Sequence, residues 1–210
     1  MNYLNNFKII KKKVSNFDKK INIIVVTKNQ SLDKIIPIIE YGHNHFGENR
    51  VQETISKWNN YLKIKPDIKL HLIGKLQSNK VKDALKVFNY IHSLDSEKLA
   101  LVLDKEESIS LKKVKYLIQV NIGNEAQKSG ISPSSLNKFL NFCKNRTKLN
   151  IVGLMCLPPL NENPLVFFDE LKRLANENQL YELSMGMSGD YIQAIGAGST
   201  FIRVGSKIFN

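Results

Sequence analysis

Cysteine is scarce in this 210-residue chain, which has only Cys143 and Cys156. Two thiols this far apart make no CxxC metal or redox motif. Both are read as buried free thiols, since a disulfide would need an oxidising compartment that nothing else here indicates. No stretch is apolar for long enough to cross a membrane. Residues 1–17, MNYLNNFKIIKKKVSNF, lack the apolar core and cleavage site of a secretory signal, and they are rich in Lys rather than in the Arg of a transit peptide. The expectation is a cytoplasmic protein with no membrane partner. No Gly/Ser/Pro-rich linker and no low-complexity tract divides the chain, so one domain over residues 1–210 is expected. Acidic residues are in the minority, 19 against 31 basic ones, for a net charge of +12. That excess raises nucleic acid as a partner. However, the lysines are spread over the whole length among many Asn and Ile, as an AT-rich genome would impose. The one basic run is Lys11-Lys12-Lys13, and no aromatics interleave with it as a single-strand binder needs. Nucleic-acid binding is disfavoured.

What the chain does contain is an alternation of short β-branched runs with longer amphipathic stretches, the pattern of parallel βα units. A helix over residues 3–17 opens it. INIIVVT (21–27) reads as a buried strand, followed by a helix over 31–41 with Ser31 as its N-cap. The next pairs are a strand at 43–46 with a helix over 48–58, 69–74 with 76–87, and 89–92 with 96–105. Then come 115–122 with 133–144, 150–155 with 164–176, and 181–184 with 188–197; an eighth strand, FIRVG, spans 201–205. Eight such units make a closed (β/α)8 TIM barrel, an α/β fold, with an extra N-terminal helix. An open doubly wound sheet is the alternative. It would need a Gly-rich phosphate fingerprint after the first strand, and VVTKNQSL has none.

Barrels of this kind build their sites at the C-terminal ends of the strands. There the register gathers Thr27-Lys28, Gly47-Glu48-Asn49, Gly74, Ser93-Leu94-Asp95, Asn121, Met155, the turn 184–188 and the turn 203–206. A lysine ending a buried strand points its amine into a partly desolvated pocket and suits a nucleophile, although a snorkelling surface lysine fits the position equally. Gly205-Ser206 and Met187-Ser188 are each expected to start a helix directly after a strand, where backbone N–H groups cradle phosphate; each pair can also be a simple cap. Arg203 stands among apolar residues, and a buried guanidinium must find an acceptor, with a barrel carboxylate as the plain structural alternative. His43, His45, His71 and His92 lie at or near strands without metal-ligand spacing. They are read as core or rim packing, with no metal expected.

At these residues the sequence resembles the pyridoxal phosphate homeostasis proteins. The motifs run nearly end to end: VVTK, HFGENRVQE, HLIGKLQSNK, IHSLDS, QVNIGNEAQKSGI, GLMCLPP and LSMGMSGDYIQAIGAGSTFIRVGSKIF. That family is similar to the N-terminal barrel of alanine racemase, a fold-type III protein. The resemblance implies pyridoxal 5′-phosphate (PLP) as cofactor, with Lys28 as its Schiff-base lysine and Arg203 facing the pyridine nitrogen. It further implies Ser188, Gly205 and Ser206 as the phosphate cradle, and Asn49, Ile73 and Gly74 as groups lining the ring.

Two points favour a carrier over a fast enzyme. An arginine opposite the ring nitrogen stays protonated itself and leaves that nitrogen unprotonated, which weakens the ring as an electron sink. Racemisation also needs an acid/base on each face of the substrate carbon, and the chain as read stops at its barrel, without the second domain that supplies one in alanine racemase. The expectation is therefore a PLP-binding protein of vitamin B6 homeostasis that is not an enzyme, is monomeric, and passes PLP to apo-enzymes. A slow racemase or other fold-type III PLP enzyme is the alternative. Lys128, in the loop after the fifth strand, is a candidate transient second acceptor.

Overall fold

The structure, a computed structural model, describes residues 2–17 and 20–210. After α1 (Tyr3–Val14) come β1 (Asn22–Val26), α2 (Leu32–Glu40), β2 (His45–Glu48), α3 (Val51–Ile64), β3 (Lys69–Leu72), α4 (Val81–Val87), β4 (Tyr90–Leu94) and α5 (Glu97–Ser110). The second half adds β5 (Lys115–Val120), α6 (Leu136–Arg146), β6 (Asn150–Cys156), α7 (Pro164–Glu177), β7 (Glu182–Ser184), α8 (Tyr191–Gly196), β8 (Phe201–Val204) and α9 (Ser206–Phe209). The eight strands are parallel and close into a barrel in sequence order. β1 pairs with β8, with Ile24 beside Arg203 and Val25 beside Val204. The fold is the expected (β/α)8 barrel with an added N-terminal helix.

Each helix turns a buried stripe to the strands, for example Leu99, Ala100 and Leu103 on α5, or Phe168, Leu171 and Leu174 on α7. Burying one such side chain contributes roughly 1.5–3 kcal/mol, and this strand–helix layer is the main hydrophobic core. Caps fix where helices begin: the Ser96 side chain accepts from Leu99 N–H, and that of Asn163 from Leu165 N–H with Pro164 at the first helical position. α1 buries Phe7, Ile10 and Val14. Phe7 meets Tyr41 edge-on and packs on His43, and Asn6 Nδ2 donates to the Ile208 carbonyl of α9 at 3.0 Å.

Several boundaries differ from the sequence reading, for identifiable reasons. The second strand begins at His45 because His43 belongs to the end of α2. Gly42 adopts φ +90°, its N–H bonds Ile39 O at 2.9 Å, and His43 N–H bonds Ile38 O at 3.2 Å, which is the double closure of a glycine-ended helix. Glu48, read as the start of a helix, instead ends β2. Its buried Oε1 accepts from Thr27 Oγ1 at 2.7 Å, Trp58 Nε1 at 2.8 Å and Lys57 Nζ at 2.9 Å. α3 starts only at Val51. The third strand stops at Leu72, short of Gly74. Ser31 stands at the N-cap position of α2 but makes no capping bond with its side chain. Met187-Ser188 do not start a helix, because residues 188–190 form a turn ahead of α8 in which the Asp190 carboxylate accepts from Met187 N–H.

Candidate functional site

At the C-terminal mouth of the barrel lies a cavity of about 460 Å³. The end of β1 brings Val26 and Lys28 to it, the turns after β2 and β3 bring Asn49 and Ile73, and β8 with the start of α9 brings Arg203, Gly205 and Ser206. Ser188, with Met187 and Gly189, closes the side next to β8. Seven of the eight residues singled out in the sequence thus meet around one space. Gly74 does not line it: a Cβ there would fall 2.3 Å from the Asn49 carbonyl oxygen and 2.9 Å from Asn49 Cα. Gly74 lets the β3 turn pass against the Asn49 backbone and so helps place Asn49, one step behind the wall.

Lys28 is exposed at the rim, more open than the partly desolvated pocket expected of a strand-end lysine. Its backbone is held firmly all the same. The preceding Thr27 is buried, donates through Oγ1 to Glu48, and takes a 2.7 Å bond from Lys57 Nζ on its carbonyl. The residue after it, Asn29, turns at φ 59° with its N–H on Glu53 Oε1 at 2.9 Å. A rigid base with a free four-carbon arm gives the amine reach over the cavity.

Arg203 is buried, 4% exposed. Its Nη1 donates to Ser184 Oγ at 2.7 Å and its Nη2 to the Cys156 carbonyl at 2.8 Å. The carboxylate partner weighed in the sequence reading is not among these contacts; both partners are neutral. Burial pulls the guanidinium's pKa down from its ordinary value, opposed by Cys156 and Asp190, and burial pushes the Cys156 thiol up to about 12. The group remains a cation, aimed at a cavity and still holding N–H donors.

At the adjoining turn between β8 and α9, Ser188 Oγ accepts from Gly205 N–H at 3.3 Å and Lys207 N–H at 3.4 Å. The N–H groups of Ser188, Gly189 and Ser206 have no acceptor among the described residues. This cluster of donors at the start of α9 fits a small anion, with the Ser188 hydroxyl able to turn from acceptor to donor. Val26, Leu157 and Gly189 also line the cavity and were not singled out in the sequence, and Met187, expected there only as part of a helix start, lines it too. Leu157 and Met187 fall inside the quoted motifs GLMCLPP and LSMGMSGDY, but only the folding of their loops brings them to the cavity.

Lys128 lies on the same face and not in this cavity. Its Nζ pairs with the Glu125 carboxylate and donates to the carbonyls of Pro158 at 3.1 Å and Leu157 at 3.3 Å, which ties the loops after β5 and β6 together. Asp95 lines a neighbouring polar cavity with Lys75 and Lys128, where burial raises its pKa. Both cysteines are buried and unpaired. No helix among the described residues is long and apolar enough to cross a membrane.

The sequence matches the family described as alanine racemase, N-terminal domain, over residues 2–210. It is 36% identical over 199 residues to the pyridoxal phosphate homeostasis protein of Vibrio cholerae, covering 90% of this chain and 84% of that protein. With the protein of the same name from Buchnera aphidicola it shares 37% identity over 227 residues, 100% of this chain and 98% of the other. Among solved structures, PipY of Synechococcus elongatus with PLP bound superposes with a TM-score of 0.88 at 34% identity, covering 98% of this chain and all of that one. Alanine racemase of Clostridium difficile superposes at 0.79 with 13% identity, over 99% of this chain and 56% of that enzyme, a likeness of fold alone.

Proposed function

The chain belongs to the family of the alanine racemase N-terminal domain, and within it to the pyridoxal phosphate homeostasis proteins, and from that premise we propose that it binds pyridoxal 5′-phosphate and buffers it for apo-enzymes. The observation that carries this is Arg203, a buried cation with only neutral protein partners, facing a cavity that has an amine at its rim and unpartnered N–H groups in its lining turns. A phosphorylated heteroaromatic aldehyde supplies one group for each: an aldehyde for the amine, a ring nitrogen for the guanidinium and a phosphate for the N–H cluster.

PLP contributes an aldehyde that an amine can capture covalently and a ring that draws electrons from a bound carbon. In this chain Lys28 Nζ would hold the aldehyde, and its exposure would leave it accessible from solvent. Arg203 would donate to the ring nitrogen and, being unable to give up its proton, would leave that nitrogen unprotonated. The ring is then a weak electron sink, which favours carriage over catalysis. Ser188, Ser206 and the backbone of Gly205 would hold the phosphate, and Asn49 and Ile73 would flank the ring.

The test is direct. Protein incubated with PLP should absorb in the visible, and borohydride should fix the label on the Lys28 peptide. Recovery of the label mainly on another lysine, or an unchanged spectrum in Lys28→Ala, refutes the assignment. Turnover of any common amino acid near the typical enzyme median of ~10 per second would reverse the preference for a carrier.

A further inference from the structure

Beneath the cavity, the interior of the barrel is crossed by a line of polar side chains that do not touch the cavity itself. His45 Nδ1 lies 2.8 Å from His71 Nε2, His71 Nδ1 lies 2.9 Å from His92 Nε2, and His92 Nδ1 lies 2.9 Å from Ser184 Oγ, the atom that accepts from Arg203 Nη1. The strand registers lay out this path. Lys69 is level with His45, so His71 stands two residues higher on the next strand; Tyr90 is level with His71, and His92 again stands two higher. Across the barrel, Phe201 is level with Ser184, and Arg203 stands two above it. Inward-facing positions recur every second residue, so each step climbs one layer. The line begins at His45, beside a second cavity at the N-terminal end, and finishes at Arg203. Tyr90 stacks on His71 at 4.3 Å and 12°, and Phe201 packs at 5.5 Å from His71 and 5.7 Å from His92, which fixes the ring planes.

We propose that Ser184, His92, His71 and His45 form a hydrogen-bonded strut of one polarity that positions Arg203 at the floor of the cavity. The polarity follows from donor counting. Arginine only donates, so Ser184 Oγ must accept from it. The Ser184 hydroxyl proton then has one recorded acceptor, His92 Nδ1. His92 must carry its proton on Nε2 and give it to His71 Nδ1; His71 does the same toward His45. In the reverse orientation His92 would donate to Ser184 as well, and the buried hydroxyl proton would be left without an acceptor, at a cost of ~1–3 kcal/mol. The cation at the top also favours lone pairs turned toward it. Burial supports neutral rings throughout, holding His45 down to about 4 and His71 and His92 well below their ordinary value. A proton relay into the cavity is excluded by the same chemistry, because it would have to pass through a guanidinium that does not deprotonate. These are positioning residues.

The proposal rests on the functional reading only in that Arg203 faces the cofactor ring, and the test separates the two. In ligand-free protein labelled with 15N-histidine, long-range 15N–1H correlation should show His71 and His92 as Nε2–H tautomers at neutral pH. An Nδ1–H tautomer at either ring overturns the strut. PLP titrations then compare Ser184→Ala, Ser184→Thr and Arg203→Leu. Ser184→Ala should shift the visible absorption maximum of the bound cofactor and weaken binding roughly tenfold, as loss of one hydrogen bond to a charged group implies. Ser184→Thr, which keeps the hydroxyl, should restore both. If Arg203→Leu changes spectrum and affinity while Ser184→Ala leaves them as in the wild type, the strut is refuted. If Arg203→Leu itself has no effect, it is the placement of Arg203 against the ring that fails, and the tautomers alone decide the strut.

Discussion

Val26 decides what can replace Gly205. A Cβ on residue 205 would stand 3.1 Å from Val26 Cβ and 3.2 Å from the Val26 carbonyl oxygen. The sequence suggests that this glycine makes room for a phosphate; the structure adds crowding from β1, across the seam that closes the barrel. Gly205→Val should therefore destabilise even the ligand-free protein, by ~1–3 kcal/mol as overpacking does, and should also displace the N–H groups of the α9 start and weaken PLP retention. Ser206→Ala keeps its backbone N–H and should lose only about 1–2 kcal/mol of PLP binding with an unchanged melting temperature. Thermal melts without ligand and PLP titrations separate the two effects, and a wild-type melting temperature for Gly205→Val would contradict the packing argument. Lys28 and Arg203 stand out in the sequence because each is a charge on an otherwise apolar strand. Gly74 looks like a wall residue there, and its actual work, letting the backbone of Asn49 come close, depends on a neighbouring turn that no local pattern reveals.

The joint between β1, β2 and α3 turns on Glu48. An acidic residue just ahead of an amphipathic stretch looks like the favourable first turn of a helix, and that is how it reads in sequence. The residues that overrule this preference, Trp58 and Lys57, reach Glu48 only once α3 has docked. Boundaries elsewhere slipped for the same kind of reason: His43 is spent on the glycine-ended cap of α2, and Ser188 on the turn held by Asp190. The existence and order of the elements were legible because β-branched runs and helical stripes alternate eight times, whereas their ends are fixed by contacts made across the chain. Glu48→Ala should strand the Lys57 ammonium and the Trp58 and Thr27 donors, at a cost of about 3–5 kcal/mol, the usual penalty for breaking a buried ion pair. Glu48→Gln, which still offers an acceptor, should lose less. Denaturant midpoints provide the comparison. Since Thr27 leans on the same carboxylate, Glu48→Ala should also slow trapping of PLP at Lys28.

Acid should reach the barrel through its histidines. His43 and His45 are each held down to about 4, chiefly by burial, and His71 and His92 are displaced in the same direction. The unfolded chain takes up these protons near the ordinary value of about 6.5, the folded one only near 4 at His43 and His45 and well below the ordinary value at His71 and His92, so the unfolded state binds more protons as the pH falls below 6.5. Stability should be full above about pH 6.5 and should drain away as the pH falls toward 4, beginning well above the carboxylate range. Melting temperatures across pH 7.5 to 4 will show this, and a flat profile down to pH 5 would contradict it. The sequence placed the four histidines at strands, as packing residues, and missed the diagonal that links three of them, because the two-residue climb per strand exists only in the closed register. Closure has a further consequence in time. Lys28 follows the end of β1 and Arg203 lies on β8, nearly the whole chain apart yet served by adjoining strands. Pairing of such long sequence separation carries a large loop-closure cost, and only the closed β1–β8 seam brings the amine and the guanidinium to one cavity. On the proposed cofactor placement, capture of PLP should therefore report only molecules whose last seam has zipped.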